Sequence, residues 1–134
     1  MTLACQSGVL LFGRLLLALL FLLSAVRGIM HYPVTVDYFA RLGVPAPAAM
    51  VWMVVLVELF GGALLAAGWQ TRRAAWLLAA FVGAATFIGH RFWEFEGAQH
   101  VNQLNHFLKN LALIGGLLYV AVLGAGKLSV DGAR

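Results

Sequence analysis

From Ala48 to Gly68 the chain reads AAMVWMVVLVELFGGALLAAG, twenty-one residues with one charge, Glu58. A hydrocarbon layer of about 30 Å is crossed by about 20 helical residues rising about 1.5 Å each. The stretch therefore suits a helix that crosses a bilayer, and the chain repeats the theme. One apolar run precedes it, Gly8 to Met30. Two follow, Ala74 to Gly89 (AAWLLAAFVGAATFIG) and Leu111 to Gly126 (LALIGGLLYVAVLGAG). Hydrophobic types make up 63% of the 134 residues and charged types 10%, against about 25% charged in a soluble domain. A core of this size cannot hide that much apolar surface from water, so lipid is its natural solvent. The expected fold is all-α, a four-helix transmembrane bundle forming a single membrane domain over residues 1–134. Its helices are expected at approximately 8–30, 47–68, 73–92 and 104–125.

Three joints connect the runs. The first, HYPVTVDYFARLGVPAPAA, carries turn signals at Pro33 and in GVPAP, and VDYFARL between them suits a short interfacial helix. The second, GWQTRR, is tight. Gly68 can end one helix and Thr71 can cap the next. The third, HRFWEFEGAQHVNQLNHF, is polar and aromatic. Trp52, Trp69, Trp76 and Trp93 fall near run ends, the depth that indole prefers in a bilayer.

The net charge of +4 comes from nine basic residues spread along the chain, with only Arg72 and Arg73 adjacent. Nucleic-acid binding needs a clustered basic patch, so it is not expected; anionic membrane lipids are the better partner. One cysteine, Cys5, can form no internal disulfide and no C-x-x-C pair. No apolar run precedes MTLAC, as a lipoprotein signal would require, and the first run is expected to stay in the protein. Four crossings put both termini on one side, with Arg14, Arg72, Arg73, Lys127 and Arg134; the other side holds Arg27, Arg41, Arg91 and Lys109. The paired arginines in the tight loop favour cytoplasmic termini for a multi-pass membrane protein.

The side opposite the termini carries the chemistry. His31, His90, His100 and His106 all fall there, with Asp37, Glu94, Glu96, Asn102 and Asn105. Leu111 to Gly126 alone gives about 24 Å of helix, short of a bilayer. The last helix must reach back to about Phe107, which sets Lys109 at the lipid surface. Asn105, His106, Lys109 and Asn110 then form a polar stripe at three- and four-residue spacing. A pocket face is one reading of the stripe. A snorkelling lysine with capping or helix-bridging asparagines is the other. Glu58 is the sharpest signal, since a mid-membrane carboxylate must find a partner or be neutral. Arg27 and Lys109 are candidate partners from one side and Arg14 from the other. A structural lock and a proton-exchanging pocket are both consistent with it. Small residues near it, Gly61, Gly62 and Gly68, suit close helix packing and leave room for a flat ligand.

No metal is expected. The weaker alternative is a set of His90, Glu94 and His106, with His100 in the loop between, but no H-E-x-x-H or cysteine cluster supports it. A hydrolase triad is less favoured still, because Ser24 is the only hydroxyl of note in the first run and nothing ties it to a base.

GRLLLALLFLLSAVRGI, YFARLGVPAP, VELFGGALLAAGWQTRRAAWLL, FWEFEG and NHFLKNLALIGGLL, in this order and spacing, resemble the DoxX family of small bacterial membrane proteins with four transmembrane helices. The resemblance covers about residues 12 to 124. It implies that the family's polar positions fall on Arg14, Glu58, Arg72, Trp93, Lys109 and Asn110. Two departures stand out. Ala25 replaces the family's usual glycine and Arg27 its common lysine, so the space near Glu58 is expected to be tighter or paired shut.

The resemblance also implies links to quinone-dependent oxidation and redox homeostasis. The expected function is the membrane subunit of a redox-linked, quinone-associated complex. Its polar pocket would lie in the outer half of the bundle and draw on Arg27, Glu58, His90, Trp93, Asn105, His106, Lys109 and Asn110, with Glu58 as candidate proton exchanger. Quinone is the candidate cofactor. Membrane lipids, a redox partner protein and further copies in an oligomer are the candidate partners. The alternatives are a non-catalytic scaffold that docks a partner and, less favoured, a small-solute carrier.

Overall fold

The computed structural model describes residues 3–133, and among these all secondary structure is helical. Five α-helices follow one another: α1 (Leu3–Met30), α2 (Tyr32–Arg41), α3 (Pro47–Ala67), α4 (Thr71–Gly89) and α5 (Gly97–Leu123). Short 3-10 turns lie at Phe92–Glu94 and Asp131–Ala133. The helices α1, α3, α4 and α5 are long and apolar enough to span a membrane.

The interior is thin, and that identifies the solvent. Phe21, Leu65, Leu78 and Leu117 are fully buried at the centre, with Ala18 and Ala75 between them. A second small cluster joins Ala25, Val51 and Val55 to Tyr32, Val36 and Phe39. Leucines, phenylalanines and valines elsewhere lie bare on the outside, as in Phe12, Leu16, Phe60, Phe87 and Val122. In water such a surface would aggregate; in lipid it is the correct exterior. The four tryptophans are each at least 45% exposed, so none serves as core.

Close packing rests on glycine. A Cβ on Gly61 would stand 2.7 Å from a Leu78 methyl, and one on Gly62 would stand 3.1 Å from Leu22. These neighbours let α3 approach α4 on one side and α1 on the other. Packing is uneven around the bundle: α1 lies mainly on α3 and α5 mainly on α4, while α1 and α5 barely touch.

Several boundaries differ from the sequence expectation. Pro33 lies in the first turn of α2 instead of marking a turn, because proline fits the start of a helix, where its missing N–H would have no partner. The interfacial helix therefore runs the full length from Tyr32 to Arg41. The helix α5 starts at Gly97, seven residues before the expected 104. Its first turns are polar and read as loop, yet they continue one helix beyond the apolar zone. Thr71 is the first residue of α4, not its cap. The cap comes from the tail: the Asp131 carboxylate accepts from the Gln70 and Thr71 backbone N–H groups at 3.0 and 2.9 Å and from the Thr71 hydroxyl at 2.7 Å.

That tail is a strap. After α5 ends at Leu123, the Val130 N–H donates to Ala67 O and the Asp131 N–H to Gly68 O, pinning residues 124–133 across the α3–α4 turn. Arg14, expected at a lipid edge or beside Glu58, is instead 2% exposed beneath this strap. Its guanidinium donates to the carbonyls of Ala125, Leu128 and Ala66. A guanidinium stays charged in a protein, so burial obliges it to collect such oxygens.

Candidate functional site

The polar end opposite the strap is built where α4 stops. His90 ends α4 and Arg91 turns the chain. Arg91 ties three segments together, donating to Leu42 O after α2, to Ile88 O in α4 and to the Glu94 carboxylate at 3.3 Å. Phe92 then fills a cap of rings with Trp93, His100 and Phe107. The His100 ring bonds to Phe92 O at 2.9 Å.

The expected pocket residues do not converge on one place. Glu58 lies on the α1–α3 seam, where the Ser24 hydroxyl donates to its carboxyl at 2.8 Å. None of the expected basic partners reaches it: Arg14 is committed to the strap, Arg27 is exposed, and the described residues contain no ion pair at Glu58. Ser24, set aside on sequence, is the partner. Asn110 lies on the α4–α5 seam and donates to the Thr86 hydroxyl at 2.9 Å, while Thr86 itself donates to Val82 O. His90 and His106 stack with ring centres 5.0 Å apart and planes 12° from parallel, and the His90 Nδ1 lies 2.9 Å from the Gln103 side-chain oxygen. Asn105, His106 and Lys109 are exposed on α5, and Trp93 is half exposed in the ring cap. The alternative metal set fails on geometry: Glu94 is drawn to Arg91, and no three His, Cys, Asp or Glu residues cluster among the described residues.

A chamber that no motif signalled lies beside His90. It measures about 280 Å³ and opens between α2, α3 and α4. Phe39, Met50, Met53, Phe81 and Ala85 supply its apolar wall. Tyr38 and His90 supply the polar groups at its outer end, where α4 terminates. The Tyr38 hydroxyl donates to Gly89 O at 3.1 Å. Burial pushes the Tyr38 phenol above its ordinary pKa, with a smaller opposing pull from Arg91, so it remains a proton donor well past neutral pH. With Nδ1 engaged by the Gln103 side-chain oxygen, Nε2 is the remaining polar atom of the His90 ring. The arrangement can hold a small flat apolar ring and address an oxygen on its edge. Glu58 does not line it.

Sequence reasoning passed over Tyr38, Ser24, Thr86, Gln103 and Asp131. Ser24 and Thr86 carried a faint signal, as hydroxyls within apolar helices; Asp131 carried none, because its partners lie about sixty residues away.

The comparisons with known proteins agree with the architecture. The DoxX family pattern matches residues 9–91. The chain is 30% identical to the inner membrane protein YphA of Escherichia coli over 96% of its own length and 91% of that protein's. It is 35% identical to the inner membrane protein YqjF of the same organism over 90% of its own length and 88% of that protein's. No solved structure matches it. With the family pattern covering more than half of the chain and two such relatives spanning nearly all of it, this multi-pass integral membrane protein belongs to the DoxX family.

Proposed function

We propose that this protein is the membrane subunit of a redox-linked, quinone-associated complex in a bacterial inner membrane, with its termini in the cytoplasm and the α2–α3–α4 chamber as the seat of the quinone ring. The observation that carries the reading is the chamber: an apolar space of about 280 Å³ at the membrane boundary, with a phenol and an imidazole at one end. Small-molecule sites have this character, mostly apolar with a few convergent polar groups. A quinone fits the donor set. Its ring is flat and apolar, a carbonyl oxygen accepts from the His90 ring or from the Tyr38 hydroxyl when its single proton turns away from Gly89 O, and its tail can stay in lipid. When bound, such a group exchanges two electrons and two protons between its quinone and quinol forms. The electrons come from a partner redox protein, and the chain's own residues seat the ring and hold or release protons at Tyr38 Oη and His90 Nε2. In this reading Glu58 locks α1 to α3 and exchanges no proton with the ring, which moves the proton-handling role from the carboxylate to the outer end. The inner-membrane setting rests on the names of the two relatives, and the orientation on Arg72 and Arg73 in the short α3–α4 turn.

The test is titration of the detergent-solubilised protein with a short-chain quinone, read by quenching of tryptophan fluorescence. Saturable binding is expected in the wild type. His90→Ala should weaken it about tenfold, the worth of roughly one hydrogen bond. Ala85→Phe, which fills the chamber, should abolish it while the protein stays monodisperse. Binding that is not saturable, or that survives Ala85→Phe, would refute the assignment.

A further inference from the structure

The opposite end of the molecule carries a second two-part cavity. Because α1 and α5 barely touch, a lateral groove of about 440 Å³ lies open between them, walled by Val9, Leu16, Leu20, Leu113 and Tyr119. Exposed Gly13 lies in it with no atom within 4 Å of where its Cβ would be. The groove runs from Val9 to Leu20 on one helix and from Leu113 to Gly124 on the other, about 16 Å in each case. That matches one leaflet of hydrocarbon, half of a core about 30 Å thick. At Leu123 and Gly124 the groove meets a polar hollow of about 420 Å³ lined by Arg72, Arg73, the start of the strap and Asp131, whose carboxylate accepts from Gln70 and Thr71. Arg72 lies over Gly124, where its guanidinium would stand 3.4–3.9 Å from an added Cβ. Arg72 and Arg73 are exposed, and neither has a hydrogen bond or ion pair within the described residues.

We infer that this joined cavity is a binding site for one anionic glycerophospholipid, with the phosphate on Arg72 and Arg73 and an acyl chain in the α1–α5 groove. Two observations point to this occupant. The groove is as long as an acyl layer is deep and opens sideways into lipid. Two unpartnered cations stand at its headgroup end, where a phosphodiester supplies the missing charge. A helix of a second copy would fill the groove but leave the hollow, with two arginines against the one carboxylate of Asp131, net positive. The inference is independent of the quinone reading, which concerns the other end of the bundle.

Native mass spectrometry of the whole chain, offered phosphatidylglycerol and phosphatidylcholine in equal amounts, decides it. The wild type should retain one phosphatidylglycerol in preference. Arg72→Gln and Arg73→Gln should each lower that preference about fivefold, the effect of roughly one surface cation near a membrane. Gly13→Phe, which blocks the groove without a clash at Cβ, should lower retention of the lipid itself. Arg41→Gln, at the opposite end, should change nothing. Equal retention of the two lipids overturns the site. So does retention indifferent to Gly13→Phe, which would mean surface charge alone, and so does a lipid-free dimer that Gly13→Phe disrupts, which would mean a second copy in the groove.

Discussion

A carboxyl group in the middle of an apolar helix can pair with a cation, lose its charge, or find a hydroxyl. Glu58 takes the Ser24 hydroxyl at 2.8 Å. The sequence marked Glu58 as unusual but could not name its partner, because long basic side chains at several positions had the reach and only backbone placement decides among them. Arg14 shows the same blindness from the other side. Its charge was visible in the sequence, while the carbonyls that hold it belong to a tail more than a hundred residues away. The Ser24–Glu58 contact makes a testable contribution. In detergent, Ser24→Ala should lower unfolding free energy by about 1 kcal/mol, the usual worth of a hydrogen bond between membrane helices. Glu58→Gln should stay close to wild type, since its amide oxygen still accepts from Ser24. A large loss in Glu58→Gln with none in Ser24→Ala would assign Glu58 to an ionic partner instead.

At the scale of elements, the spanning helices were legible because length and apolarity are enough to place them. Helix α3 begins at Pro47, one residue before its apolar run, with the proline of the expected turn placed in its first turn. The start of α5 was not legible. GAQHVNQLNHF has the composition of a loop, and nothing local shows that it extends a helix above the membrane. The cap of α4 was hidden for another reason: it is tertiary. Asp131 closes the α3–α4 turn by bonding to Gln70 and Thr71, so the tail and the turn stand or fall together. Asp131→Ala should cost about 1–2 kcal/mol, the range for removing a helix cap. It should also speed hydrogen exchange at the Gln70 and Thr71 amides above all others. Unchanged exchange at those two amides would show that the strap does not hold the turn.

Across the whole molecule the two ends differ in kind. One end is a strap over a buried arginine, flanked by Arg72, Arg73 and Lys127. The other gathers all four histidines, a cap of aromatic rings and the chamber beside Tyr38. The sequence announced this polarity through the positions of its histidines and charges relative to the apolar runs. It could not announce the chamber, since a cavity is a property of how α2, α3 and α4 pack and not of any one run. Both proposed sites depend on the four helices crossing a bilayer with these ends on opposite faces. The most direct test uses single-cysteine variants in a Cys5→Ser background, labelled in intact cells with a membrane-impermeant maleimide. Val101→Cys, 57% exposed on the early part of α5, should react at once, and Arg73→Cys should react only after the membrane is opened. Reaction of both positions from the same side would contradict the four-crossing arrangement.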